Sequence, residues 1–134
     1  MFDVLDMGAS GLQAQRTRMD TIAGNIVNAN TTRNAQGQPI PYRRRFAIFA
    51  PGQPGNPDKP GVRVQEIKLD PSPFTKRHEP GHPDADADGY VQYPNIDLAM
   101  EYVNALEASR AYEANVTMME TTKAMINSTL RLIA

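Results

Sequence analysis

Apolar residues recur every seven positions at both ends of the chain and lose that period in between. Near the start, Leu5, Leu12, Met19 and Ile26 form one row, with Gly8, Gln15, Ile22 and Ala29 three positions later. This a/d spacing predicts a helix with a single packing seam, which Gly8 and Gln15 weaken. Gly8, Gly11 and Gly24 each cost about 1 kcal/mol against alanine, so the helix is poor when alone. Near the end, Leu98, Ala105, Tyr112, Met119, Ile126 and Ile133 keep the same interval. Tyr102, Val116 and Leu130 join that row, and Ser109 and Lys123 interrupt it. Asn95 or Asp97 is suited to cap this second helix.

Proline marks where helices must stop. All 11 prolines fall between Pro39 and Pro94, and all seven methionines fall outside that stretch. Proline locks φ and lacks an N–H donor, so the middle cannot hold long helices. Short strands are expected there at Tyr42–Ala50, Val62–Leu69, Phe74–His78 and Tyr90–Tyr93, where aromatic and branched residues gather. Within the second run the apolar set changes parity between Val64 and Ile67, which places a bulge near Gln65. Pro51–Gly61 is too rich in proline and glycine to pair and reads as a turn-filled loop. The expected fold is mixed α+β. An N-terminal helix within 1–30 and a C-terminal helix within 96–134 pair as an antiparallel coiled-coil-like bundle. A short-stranded β insert occupies 31–95.

With 134 residues the chain holds one domain. Two helices alone do not enclose a core, and the insert offers few aliphatic residues to cover them. The exposed parts of both stripes therefore read as surface for neighbouring chains. The residues expected at that interface are Leu5, Leu12, Met19, Ile22 and Ile26 from the first helix, and Tyr112, Val116, Met119, Ile126 and Leu130 from the second. Ile133 at the end of the chain belongs with the second group.

Charge excludes some partners. Fourteen basic against 15 acidic residues leave a net charge of −1, which argues against gripping nucleic acid by bulk charge. No apolar run approaches the ~20 residues that span a bilayer, so direct membrane insertion is not expected. The first six residues lack the basic and apolar regions of a secretory leader. The absence of cysteine removes disulfides, thiolate metal sites and a cysteine nucleophile.

Two strings imitate metal sites. His78-Glu79-Pro80-Gly81-His82 has the letters of a zinc protease motif, which needs a helix to set both imidazoles on one face. Pro80 and Gly81 together penalise that helix by ~3–4 kcal/mol. Asp84-Ala85-Asp86-Ala87-Asp88-Gly89 matches the opening of a calcium loop, but its twelfth position is Asn95, which cannot supply the closing bidentate carboxylate. Asp88-Gly89 between short strands is equally a hairpin-turn signal. A calcium or zinc module built on His78, His82, Asp84, Asp86 and Asp88 is the alternative reading. The first reading expects no cofactor, no metal and no catalytic residue, because no nucleophile elbow or phosphate-binding loop is present. Arg43-Arg44-Arg45 reads as a solvated or partner-facing strand edge.

Several strings taken together carry a family resemblance. They are Ala9-Ser10-Gly11-Leu12-Gln13-Ala14-Gln15-Arg16, Met19 through Thr32 (MDTIAGNIVNANTT), Pro41-Tyr42-Arg43-Arg44, Pro80-Gly81-His82-Pro83, Gly89-Tyr90-Val91, and Ala111-Tyr112-Glu113-Ala114-Asn115. They resemble the axial rod–hook proteins of the bacterial flagellum, with the Pro-Gly-His-Pro and Gly-Tyr-Val strings pointing to a proximal-rod subunit. The resemblance implies a non-enzymatic structural subunit that polymerises helically through its terminal helices. Such a subunit helps build the drive shaft that carries torque from the membrane ring to the distal rod and hook. It places the chain in the basal-body rod within the periplasm, exported without a cleaved signal peptide. Implied partners are further copies of itself, other rod proteins, the flagellar export apparatus, and membrane-ring and rod-base adaptor proteins. Asn30 matches the family's loop after the first helix and joins the expected interface on that ground.

Overall fold

A computed structural model describes residues 2–134. Helix α1 spans Phe2–Val27, 26 residues, and α2 spans Leu98–Ile133, 36 residues. Between them lie β1 (Arg45–Pro51), β2 (Val62–Leu69), β3 (Thr75–His78) and β4 (Tyr90–Tyr93). β1 pairs with β2 and β3 with β4, each pair antiparallel and two-stranded. The mixed α+β expectation, with helices flanking a small β insert, describes the molecule.

α1 is the central layer, touching α2 on one side and the β1–β2 hairpin on another. The hairpin lies along α1. Its Arg45 end meets Asn25, and its far end meets Ser10, whose hydroxyl accepts from the Val62 N–H at 3.2 Å. Six strand steps cover about 20 Å at 3.3 Å per residue, matching about 22 Å for fifteen helical steps.

Local chemistry explains the element ends. Asp97 caps α2, its carboxylate accepting from the Ala99 N–H at 3.0 Å. Gln65 is the bulge: Ile48 opposes Glu66 and Phe49 opposes Val64, so Gln65 has no opposite number. β1 begins later than its composition suggests. The Tyr42 N–H goes to Thr31 O and the Arg44 N–H to the Asn95 side chain, both outside the ladder. Pro51, expected in the loop, closes β1. β3 and β4 are joined not by a two-residue turn but by the whole 79–89 segment, with Gly89 in the left-handed region at φ +83.

Candidate assembly interface

The helix pair is antiparallel and in constant register. Gly8 lies against Met119, Gly11 against Asn115, Arg18 reaches Glu107 at 3.6 Å, and Asn25 reaches Glu101 at 3.3 Å. Each of these pairs sums to about 126, so residue 124 faces the first described residue of α1. Nine residues of α2, 125–133, extend past that point by about 13 Å.

The helices bury mostly small and polar side chains, some against each other and some, such as Ser10, against the insert. Gly8, Ser10, Gly11, Ala14, Ile22 and Asn25 are the buried positions of α1, and Glu101 and Ala108 those of α2. A Cβ on Gly8 would stand 2.6 Å from Met119 Cγ, and one on Gly11 would stand 3.0 Å from the Asn115 amide. Glycine is therefore the condition for the close crossing. The sequence pattern marked Gly8 only as a weakness because a missing Cβ registers as lost propensity until the opposing helix is known.

The large seam residues sit at the margins of this contact. Ile22 is buried; Leu5, Leu12, Met19 and Ile26 are half-buried, as are Tyr112, Val116, Met119 and Ile126. Leu130 is 59% and Ile133 77% exposed. In this register Leu130 has no described α1 residue beside it. Met125 and Leu132 share the projecting turns, at 64% and 87% exposure. A second uncovered group, Met100, Tyr102, Val103 and Leu106, lies on the opening turns of α2. Asn30 is exposed in the turn after α1.

At the junction of helices and insert lies a buried polar network that the apolar rows did not reveal. Asn25 is fully buried, and its amide clasps the backbone of Arg45, donating to the carbonyl at 2.7 Å and accepting from the N–H at 3.0 Å. This closes the open edge of β1 with a side chain that imitates a strand. Glu101, 1% exposed, accepts from Asn25 and from Arg44 Nε. Arg44 also reaches Asp70 at 3.3 Å. Asn95 completes the joint by accepting from the Arg44 N–H and donating to the Asp70 and Ser72 carbonyls. Burial alone would lower the Arg44 pKa; its bonds to Glu101 and Asp70 more than offset this and hold it above the ordinary value. The hydrogen bond from Ser72, then Arg44, holds the Asp70 carboxyl below its usual range. Arg45 stays exposed on the edge strand β1, as expected, but the other two arginines are taken up within the structure. Arg43 donates to the Asp70 and Ser72 carbonyls and stacks on Phe74 at 4.2 Å, and Arg44 points inward. Glu101 was legible as a position, since 98, 101, 105 and 108 share one helical face, but its partner comes from 57 residues away.

The two metal-like strings have other work. His78 ends β3 against the Tyr90 ring, while His82 lies in the following turn against Tyr93. Glu79 accepts from the Tyr93 hydroxyl at 2.8 Å, which raises the phenol's pKa. Asp84 accepts from Thr32 at 2.8 Å and Arg33 at 2.7 Å, tying the segment after α1 to this loop. These bonds, the Thr32 one foremost, lower its pKa. Asp86 turns its carboxylate onto the N–H groups of Asp88 and Tyr90, both at 2.9 Å. Among the described residues, no three His, Cys, Asp or Glu side chains gather as ligands for a metal. The alternative reading is not favoured. Among the same residues no helix is long and apolar enough to cross a membrane.

Comparison with known proteins agrees with this architecture. Residues 5–36 match the family described as flagella basal body rod protein, and residues 87–132 match the flagellar basal body rod FlgEFG protein C-terminal family. The chain is 40% identical to the flagellar basal-body rod protein FlgC of Borreliella burgdorferi, with 99% of this chain and 97% of that protein covered. The chain belongs to the flagellar basal-body rod protein family. It is similar at 41% identity to FlgC of Yersinia enterocolitica and at 39% to FlgC of Bacillus subtilis, with 98% of this chain and 97% of each relative covered. The two family matches fall on α1 with its following turn and on β4 with α2. The paired helices and the Asn30 segment are thus rod-family features, and the 37–86 span lies between the matches.

Proposed function

We propose that the chain is a non-catalytic structural subunit of the bacterial flagellar rod, joining further copies of itself and other rod proteins through its terminal helices. One observation carries this reading: α1 and α2 leave whole turns of large apolar side chains uncovered at both ends of α2. Each such leucine, isoleucine or methionine contributes about 1.5–3 kcal/mol when fully buried, so a neighbouring chain that covers them is strongly held. Leu130 and Ile133 would lie at the centre of that contact. The buried Ile22 and the half-buried Leu5, Leu12, Met19, Ile26, Tyr112, Val116, Met119 and Ile126 would add their margins, and Asn30 would lie at its rim.

The helices at 1–30 and 96–134 form the axial core of the subunit in this reading, and the insert at 31–95 faces outward. The rod places it in the basal body, within the periplasm and reached without cleavage of a leader. The flagellar export apparatus, and the membrane-ring and rod-base adaptor proteins, would meet it on the way or in place. The test is made in the bacterium that encodes the chain. Deleting the gene should abolish swimming, and mass spectrometry should find the tagged chain in purified basal bodies. A freely swimming deletion strain, with the chain absent from those preparations, would overturn the proposal.

A further inference from the structure

A cation without an acceptor lines the cleft between α1 and the proline-rich loop. This cavity of about 310 Å³ is bounded by Ser10, Gln13 and Thr17 of α1, by Pro54 and Gly55, and by Arg63 of β2. Arg63 Nε is buried and has no hydrogen-bond partner among the described residues, nor does any carboxylate there pair with its guanidinium. Neither cleft hydroxyl bonds to it, and their known partners lie elsewhere. Ser10 donates to the Met7 carbonyl at 2.6 Å and already accepts from Val62, and Thr17 donates to the Gln13 carbonyl at 3.1 Å. A guanidinium that is partly desolvated and unclaimed fits one ligand chemistry best, the two oxygens of a carboxylate.

We propose that this cleft receives the Glu113 carboxylate of a second copy of the chain. The inference rests on the reading of the chain as a self-assembling rod subunit. Three observations single out Glu113. The insert carries net positive charge and both helices net negative charge, so helix against insert is the complementary pairing. Glu113 is exposed and unpaired among the described residues, whereas Glu107 is taken by Arg18 and Glu101 by Arg44. The level also agrees. Arg63 stands beside Ser10–Thr17, and the helix register puts residues 109–116 of α2 at that height. A neighbour displaced sideways, without sliding along the axis, therefore presents Glu113 at the mouth of the cleft. Because insert meets helix, the contact is heterologous and can repeat from copy to copy.

The experiment places a photo-crosslinking benzoylphenylalanine at Gln13 in cells that assemble flagella. The expected product is a dimer of this chain with the crosslink in residues 109–117 of the second copy. Its yield should fall roughly tenfold in R63E, recover in R63E/E113R, and stay low in R63E/E120R. E113R alone, on an exposed helical face, should lose the dimer equally, which separates pairing from misfolding. A crosslink to a different protein, no crosslink, or a dimer indifferent to these charges would overturn the inference. With the chain still present in basal bodies, any of those results leaves the rod reading standing. A chain missing from basal bodies would remove both.

Discussion

Alanine at Gly8 and alanine at Gly24 should move stability in opposite directions, although helix propensity predicts the same gain for both. Replacing a helical glycine by alanine stabilises by roughly 0.5–1 kcal/mol when the site has room. Gly24 has room: an added Cβ would meet nothing closer than Tyr42 Oη at 3.6 Å, an ordinary contact. At Gly8 the same atom would stand 2.6 Å from Met119 Cγ, 3.0 Å from Met118 Cε and 3.1 Å from Met119 Sδ. Met119 Cγ sits near its own backbone and cannot retreat without changing rotamer or spreading the helices. Overpacking of that kind costs about 1–3 kcal/mol, more than the propensity gain. G24A should therefore gain about 0.5 kcal/mol and G8A lose about 1–2 kcal/mol. Urea unfolding followed by circular dichroism at 222 nm measures both. With a slope of about 1–3 kcal/mol per molar, the two midpoints should separate by roughly 1 M. A G8A midpoint at or above wild type would refute the close crossing as the reason for glycine there.

Three other outcomes follow from the same geometry. Glu101→Ala should lower stability by about 2–4 kcal/mol in the same assay, because it leaves Arg44 and the buried Asn25 amide without their common acceptor. Acid should loosen the insert. Asp70 and Asp84 have folded pKa values below their unfolded value of about 3.9, so their contribution is complete above that value and is lost as pH falls through the folded ones. Urea midpoints between pH 6 and pH 3 should fall less steeply in D84N than in wild type. In amide exchange, 101–119 should be the slow part of α2 and 125–133 the fast part, since those last turns have no α1 beside them. Uniform protection to Ile133 in dilute monomer would contradict the register.

How much of this was readable in advance depended on whether the signal was local. The heptad rows, the proline boundary at residues 39–94, the Asp97 cap and the bulge at Gln65 each depend on a few neighbouring residues, and each appears where the pattern placed it or named it as a candidate. The family strings were legible for the same reason. Failures came where a local feature served a distant one. Arg43 and Arg44 looked solvated because nothing nearby says that Glu101, Asp70 and Ser72 will surround them. The aspartates at 84, 86 and 88 looked like ligands because Thr32, Arg33 and the backbone donors of the turn are invisible in their own segment.

The sequence by itself determined the elements, since helix period, strand alternation and the geometry of proline act over a few residues. It also determined that large apolar rows would outnumber the surfaces available to cover them. Only the tertiary structure decided which row closes the bundle. The choice fell on Gly8 and Gly11 because two helices approach closely where side chains are smallest, and packing depends on the partner's shape as much as on the residue's own hydrophobicity. The same step fixed which end of α2 projects beyond its partner, because register is a property of two helices and belongs to neither alone.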